Sequence, residues 1–130
     1  MQEKHLFEYA VIRVMPRVER EEFLNVGVIL YCPPQNFLQA SFELDGDRLR
    51  AFVCDLEASE IEEHLRSFEE ISAGGEGSGP IGKLSPGERF RWLTAPRSTV
   101  VQTSAVHTGL LTDAGRTLAD LMEKLVHCKK

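Results

Sequence analysis

The stretch Phe7–Val14 (FEYAVIRV) decides the fold of this chain, because it predicts a strand that is apolar on both faces. A strand of this kind usually lies centrally in a sheet that is covered on at least one face. Pro16 ends it. The apolar side chains alternate between the faces, with Phe7, Tyr9 and Val11 on one and Ala10, Ile12 and Val14 on the other.

Three further strands are predicted around this one. Val26–Cys32 is a second apolar strand, in which Gly27 indicates a bulge or a close backbone approach. Phe37–Leu44 alternates apolar and polar residues, which is typical of a half-exposed antiparallel strand. Thr99–Ala105 is rich in β-branched residues and predicts the fourth.

Helical segments are predicted in four places. Ala58, Ile61, Leu65, Phe68 and Ile71 form one apolar stripe of a helix over residues 56–72. The last helix has a similar buried stripe of Leu118, Leu121, Met122, Leu125 and Val126. Ser85–Glu88 matches a capping box and predicts a short helix from Pro86 to about Leu93. Glu19–Leu24 predicts one or two helical turns, and Ala73–Gly82 a flexible loop.

Together these elements predict a single α+β domain over residues 1–130. We expect an antiparallel sheet of about four strands with the two longer helices packed on one face, and a short helix near residue 86. With 130 residues, 42% apolar and 27% charged, the chain has the composition of an ordinary soluble domain. Its longest apolar run is far shorter than the ~20 residues that span a bilayer. No signal peptide is visible, so we expect a cytoplasmic protein without membrane contact.

Cysteine and histidine spacing predicts no metal site and no cofactor. The three cysteines, Cys32, Cys54 and Cys128, form no CxxC pair and fit reduced thiols. The four histidines show no zinc-binding pattern.

Charge is distributed unevenly along the chain, whose net charge is −5. Residues 1–78 carry 7 Lys/Arg against 16 Asp/Glu, whereas residues 79–130 carry 8 against 4. An acidic protein is a poor general nucleic-acid binder. A local cationic patch on it suits one anionic ligand or an acidic partner surface.

The cationic patch centres on the segment Glu88–Thr99 (ERFRWLTAPRST), which holds three arginines beside the only tryptophan. Forked guanidinium groups and hydroxyls are what phosphate or carboxylate recognition requires. The alternative is that the arginines pair with the acidic first half of the chain and that Trp92 is part of the core. The two interpretations are not exclusive.

Other candidates lie at predicted strand ends. His107, two residues before Gly109, is the candidate general acid or base, although no spacing guarantees it a partner and a polar histidine with satisfied hydrogen bonds is the more frequent role. Arg13, on an otherwise apolar strand, predicts a buried carboxylate partner such as Glu8 or Glu43. We expect Arg13, Arg17, Asn25, Arg91, Arg97 and His107 to converge on one concave face. The candidate ligand-binding residues are Arg13, Arg17, Asn25, Arg89, Arg91, Arg97, Ser98 and His107, and no catalytic residue is assigned.

Three separated motifs resemble one known family in the same order. Tyr9–Pro16 (YAVIRVMP), Glu21–Ile29 (EEFLNVGVI) and Arg89–Gln102 (RFRWLTAPRSTVVQ) resemble the bacterial family of domain of unknown function 3037, as does Val106–Gly109 (VHTG). The resemblance runs from about residue 7 to 126. It implies no reaction, but genes of this family are often found beside those of HipA-like kinases. A HipA-like kinase is therefore the protein partner that the resemblance implies.

Two classes of function follow from these observations. The leading hypothesis is a non-enzymatic interaction module that binds a phosphate-containing or other anionic ligand, or a protein partner, through its arginines. The alternative is a small enzyme that acts on a phosphorylated or nucleic-acid substrate, with His107 as acid or base. The absence of paired carboxylates and of metal-ligand spacing favours the first.

Overall fold

The computed structural model of the protein describes residues 3–16, 18–52, 58–97 and 99–127. Within these residues the strands are β1 His5–Val14, β2 Leu24–Cys32, β3 Phe37–Phe42, β4 Val101–Thr103 and β5 His107–Leu111. The α-helices are α1 Gly46–Phe52, α2 Ala58–Ala73, α3 Gly79–Gly82, α4 Pro86–Thr94 and α5 Ala114–Leu125. Among the described helices, none is long and apolar enough to cross a membrane.

The strands form one antiparallel sheet with β1 at its centre, which confirms the predicted α+β class and the central place of Phe7–Val14. β2 pairs with one edge of β1 and carries β3 on its far side, while β4 and β5 both pair with the other edge of β1. The sheet is therefore four strands wide, with the fourth position filled by two successive short strands.

Ser104 marks the interruption between β4 and β5. Its backbone N–H donates to the Val11 carbonyl oxygen (2.8 Å), and its buried hydroxyl accepts from the Val11 N–H (2.9 Å). Both backbone groups of Val11 are thus satisfied where the ladder breaks. The predicted strand Thr99–Ala105 covers only β4. β5 was not predicted, because four of its five residues are not buried and no apolar alternation marks it.

Gly27 lies at a bulge, as predicted from its place in an apolar strand. Ile12 pairs with Gly27 and the next residue, Arg13, with Asn25, so that Val26 is the extra residue of β2. β3 also runs so close that a Cβ at position 27 would clash with the Ser41 carbonyl oxygen. Only glycine fits this approach.

The two longer helices pack on opposite faces of the sheet, so the expectation that they share one face is wrong. β1 and β2 are apolar on both sides, and each side needs its own cover. On one face, β1 and β2 pack against α1, α2 and α4, and on the other against α5. The first core includes Ala10, Ile12, Ile29, Leu65, Phe68 and Phe90, and the second Phe7, Val28, Leu30, Leu118 and Met122.

Several local predictions need adjustment. Residues Gly46–Phe52 form α1, which was not predicted, and Leu49 from it is fully buried. The predicted loop Ala73–Gly82 contains a 3₁₀ turn and the short α3. The predicted turns over Glu19–Leu24 are reduced to a 3₁₀ turn at Val18–Arg20. Cys32 is a buried free thiol, whereas Cys54 and Cys128 lie outside the described residues.

Candidate functional site

The candidate site is built on α4, which begins as the sequence predicts. The Ser85 hydroxyl accepts from the Glu88 N–H (3.4 Å), and the Glu88 carboxylate accepts from the Ser85 N–H (3.4 Å), a complete capping box. Phe90 and Leu93 are buried against the sheet, and the Phe90 ring lies 5.4 Å from that of Tyr31. This orientation determines which arginines reach solvent.

Arg89 points inward and hydrogen-bonds to the backbone of the fold. Its guanidinium donates to the carbonyl oxygens of Leu84 (2.7 Å) and Ser72 (3.3 Å). Ser72 lies in the last turn of α2, where cations offset the negative end of the helix dipole. Gly74, with a φ of +74°, leaves room for the guanidinium, since a Cβ there would lie 3.1 Å from it. Arg89 therefore links α4 to the C-terminal end of α2 by a hydrogen bond.

Arg91 forms the salt bridge that the alternative interpretation expects with the acidic half of the chain. Its Nη1 lies 3.3 Å from the Glu8 carboxylate on β1. The Arg91 side chain is 68% exposed and that of Glu8 only 21%. The pair holds α4 over the end of β1 and leaves most of Arg91 in contact with solvent.

Trp92 and Arg97 form the part of the site nearest to solvent, with Trp92 exposed and Arg97 half-buried. Trp92 is 41% exposed, so the interpretation that places it in the core is wrong. The Arg97 guanidinium stacks over its ring, with Cζ 4.8 Å from the ring centroid, and donates to the Trp92 carbonyl oxygen. Neither contact neutralises the charge of Arg97.

Trp92 separates two concavities. On one side lies an open groove of about 830 Å³ whose charged residues are Glu8, Glu88 and Arg91. On the other lies a smaller cavity of about 220 Å³ between α2 and α4, lined by His64, Ser67, Phe68, Ile71, Trp92, Leu93 and Arg97. The groove has mixed charge, whereas the described residues around the cavity include no carboxylate. The two sides of Trp92 are thus chemically different.

Three of the remaining predicted residues, Arg13, Asn25 and His107, do not join this site. Arg13, Asn25 and His107 lie on the α5 face of the sheet, so the prediction of convergence on one face is wrong. His107 is exposed and packs on the Tyr9 ring, with the centroids 5.2 Å apart. Asn25 donates to the Leu125 carbonyl oxygen at the end of α5 (3.3 Å), and Arg13 lies opposite Asn25 in the ladder.

The predicted carboxylate partner of Arg13 is also wrong. Glu8 pairs with Arg91 and Glu43 with His127 (2.7 Å), while the Arg13 guanidinium stacks on Phe23, 3.9 Å from the ring centroid. Arg17 and Ser98 lie outside the described residues.

His64 and Ser67 are the site residues that the sequence did not point to. They lie three residues apart on α2, beside its apolar stripe, and that spacing alone places them on one helix face. What the sequence does not show is that this face borders Trp92. The described residues include no group of His, Cys, Asp and Glu that could hold a metal ion.

Comparison with known families agrees with the motifs. The model of the family described as "Protein of unknown function (DUF3037)" matches residues 9–126, nearly the whole chain. The chain belongs to this family. No curated protein and no solved structure matches it.

Proposed function

We propose that this DUF3037 protein is a non-enzymatic interaction module that binds an acidic segment of a protein partner across Trp92. The observation that carries the proposal is the exposed Trp92–Arg97 stack between two concavities. Tryptophan, tyrosine and arginine are enriched at protein interfaces and dominate their binding energy. From its composition, we place the module in the cytoplasm.

We propose an acidic partner segment because two arginines, Arg97 and Arg91, lie beside Trp92. Arg97 contacts the ring and carbonyl of Trp92, and among the described residues it has no carboxylate contact. Arg91 shares its charge with Glu8 yet remains largely exposed. A carboxylate of the partner gains a charge-assisted, two-pronged bond from a guanidinium. The Tyr31 and Trp92 rings of the groove supply apolar area beside it.

Fluorescence of the only tryptophan in the chain reports directly on this surface. We expect an octapeptide of glutamate and leucine to change Trp92 emission in a saturable titration, and a lysine–leucine octapeptide of equal length to leave it unchanged. Arg97→Gln should weaken binding by about tenfold or more, because a bond to a charged group is lost. Arg97→Lys should recover only part, since an ammonium lacks the fork.

Arg66→Gln is the matched control, because Arg66 is an exposed arginine paired with Glu62 on α2 and lines neither concavity. It should bind as the wild type does. Equal responses to the acidic and basic peptides, or equal loss in both variants, would contradict the proposal. The protein to test next as a partner is a HipA-like kinase, which the family resemblance implies, in a pull-down from purified components.

A further inference from the structure

The cavity between α2 and α4 differs from the groove in offering hydrogen-bond donors without acid groups. Its polar lining consists of Arg97, His64 and Ser67, and the described residues around it include no carboxylate. The groove on the other side of Trp92 carries Glu8 and Glu88. An anionic group is therefore better accommodated in the cavity, whose lining offers donors and includes no carboxylate.

Arg97 keeps most of its donor capacity. A guanidinium has five N–H groups in a planar fork. Arg97 donates one of its Nη2 hydrogens to the Trp92 carbonyl oxygen. Stacking on the Trp92 ring fixes the plane of the fork at the mouth of the cavity. A fork that is held in place loses less rotamer entropy when it binds an anion.

Donors also come from the opposite wall. His64 is exposed on α2, and a neutral imidazole still donates from one ring nitrogen. The Ser67 hydroxyl donates to the Glu63 carbonyl oxygen (3.2 Å), a bond that it can exchange for one to a ligand oxygen. Arg97 and α2 therefore approach the cavity from two sides.

We propose that this cavity binds the phosphomonoester group of a phosphorylated side chain carried by the partner segment. The inference rests on the proposed function, because the same segment crosses Trp92. A phosphomonoester carries close to two negative charges and three acceptor oxygens, which match donors from two walls better than a carboxylate does. The apolar floor of Phe68, Ile71 and Leu93 contacts the hydrocarbon part of the side chain.

The size of the cavity supports a single group as its occupant. At about 220 Å³ it is smaller than the roughly 300–1,000 Å³ typical of sites for whole small molecules. The apolar residues of the partner segment occupy the groove beyond Trp92, against the Tyr31 and Trp92 rings, and its carboxylates face Arg97 and Arg91. Phosphorylation would then act by adding contacts in the cavity to those in the groove.

The test uses Trp92 emission with four probes: an acidic octapeptide with a central phosphoserine, the same peptide with glutamate or with serine at that position, and inorganic phosphate. We expect the phosphopeptide to bind about tenfold more tightly than the glutamate peptide. His64→Leu, which has no donor, should reduce that advantage by about three- to tenfold, the range for one hydrogen bond, and leave the glutamate peptide unaffected. Arg66→Gln should change neither, and thermal unfolding of each variant without peptide should match the wild type.

The outcomes separate the two proposals. If the glutamate peptide and the phosphopeptide bind equally and His64→Leu has no effect, the phosphate site is excluded and the proposed function stands. If inorganic phosphate binds as tightly as the phosphopeptide, the cavity binds anions in general and does not recognise a phosphorylated side chain. If none of the peptides binds, both proposals are overturned.

Discussion

The two ends of α4 use arginine in opposite ways. Near its N-terminus, Arg89 turns inward and donates to the carbonyls of Leu84 and Ser72. Beyond its C-terminus, Arg97 turns outward and stacks on the exposed ring of Trp92. The first arginine meets backbone acceptors at the end of another helix, and the second meets an aromatic face beside a cavity. What each arginine does is thus decided by the atoms around it, since both carry the same charge and donors.

The two arginines, eight residues apart, therefore have different roles: Arg89 contributes to the stability of the fold, and Arg97 to the proposed binding surface. At the inner end, Ser72 joins three elements, because its buried hydroxyl also accepts from the Ala40 N–H of the edge strand β3 (3.1 Å). At the outer end, the hydrogen bond and the ring contact of the Arg97 side chain both go to its neighbour Trp92. We therefore expect substitutions at the inner end to lower stability and those at the outer end to affect binding.

The largest stability effect should come from Arg89→Met, which keeps the hydrocarbon stem and removes the donors. Two carbonyl oxygens lose hydrogen bonds to a charged group, so the free energy of unfolding should fall by roughly 2–3 kcal/mol. Urea unfolding followed by far-ultraviolet circular dichroism measures it. Arg66→Met is the matched control on α2, where an exposed i,i+4 pair is worth about 0.3–0.5 kcal/mol. Equal losses in the two variants would show that Arg89 is not structural.

Arg91 lies between the two ends, and Arg91→Met should have an intermediate effect. Its ion pair with Glu8 is mostly exposed on the arginine side, so we expect a loss of about 0.2–1 kcal/mol. In 1 M NaCl, where the Debye length is about 3 Å, the loss should shrink. Glu8→Gln should give a similar loss, and the double variant little more than either single one. If the loss were as large as that of Arg89→Met and unaffected by salt, Arg91 would be a structural residue like Arg89, and not a member of a weak surface ion pair.

The sequence predicts the strands and helices that bury an apolar face, and α4 shows why. Its capping box and its buried Phe90 and Leu93 are local signals, so its start is confirmed and its end, at Thr94, is one residue later than expected. β5 and α1 carry no such pattern, and neither was predicted. The face that each helix covers is a tertiary property, which explains why α5 was expected beside α2.

The candidate site was only partly predictable, because a side chain's role depends on its neighbours across the fold. The sequence predicts a cationic patch in the segment around Trp92, yet only the packing shows that Arg89 points inward. Arg13 and Arg97 both stack on an aromatic ring, but on opposite faces of the sheet. His64 reaches the site through the packing of α2 on α4, at 28 residues from Trp92 in sequence.

The smallest expected effect on stability concerns Glu69, in the acidic C-terminal half of α2. Burial raises the pKa of Glu69, more than Arg66 lowers it, and Glu70 raises it further. A carboxyl group with a raised pKa holds its proton more tightly in the folded state, so stability falls as pH rises from the unfolded pKa through the folded one. Glu69→Gln removes this cost. At pH 7 its melting temperature should exceed that of the wild type by about one degree, since solvent screens an exposed group.

Below about pH 3.5, where the unfolded glutamate is protonated as well, the difference should vanish. In the Arg66→Met background the gain at pH 7 should be larger, because Arg66 is the cation that lowers the pKa of Glu69. Glu60→Gln is the matched control in the first turn of the same helix, where a negative charge is favourable, and it should lower the melting temperature. If Glu69→Gln gains no more with Arg66 absent, the charge of Arg66 has no effect on Glu69, and burial and Glu70 alone account for its raised pKa.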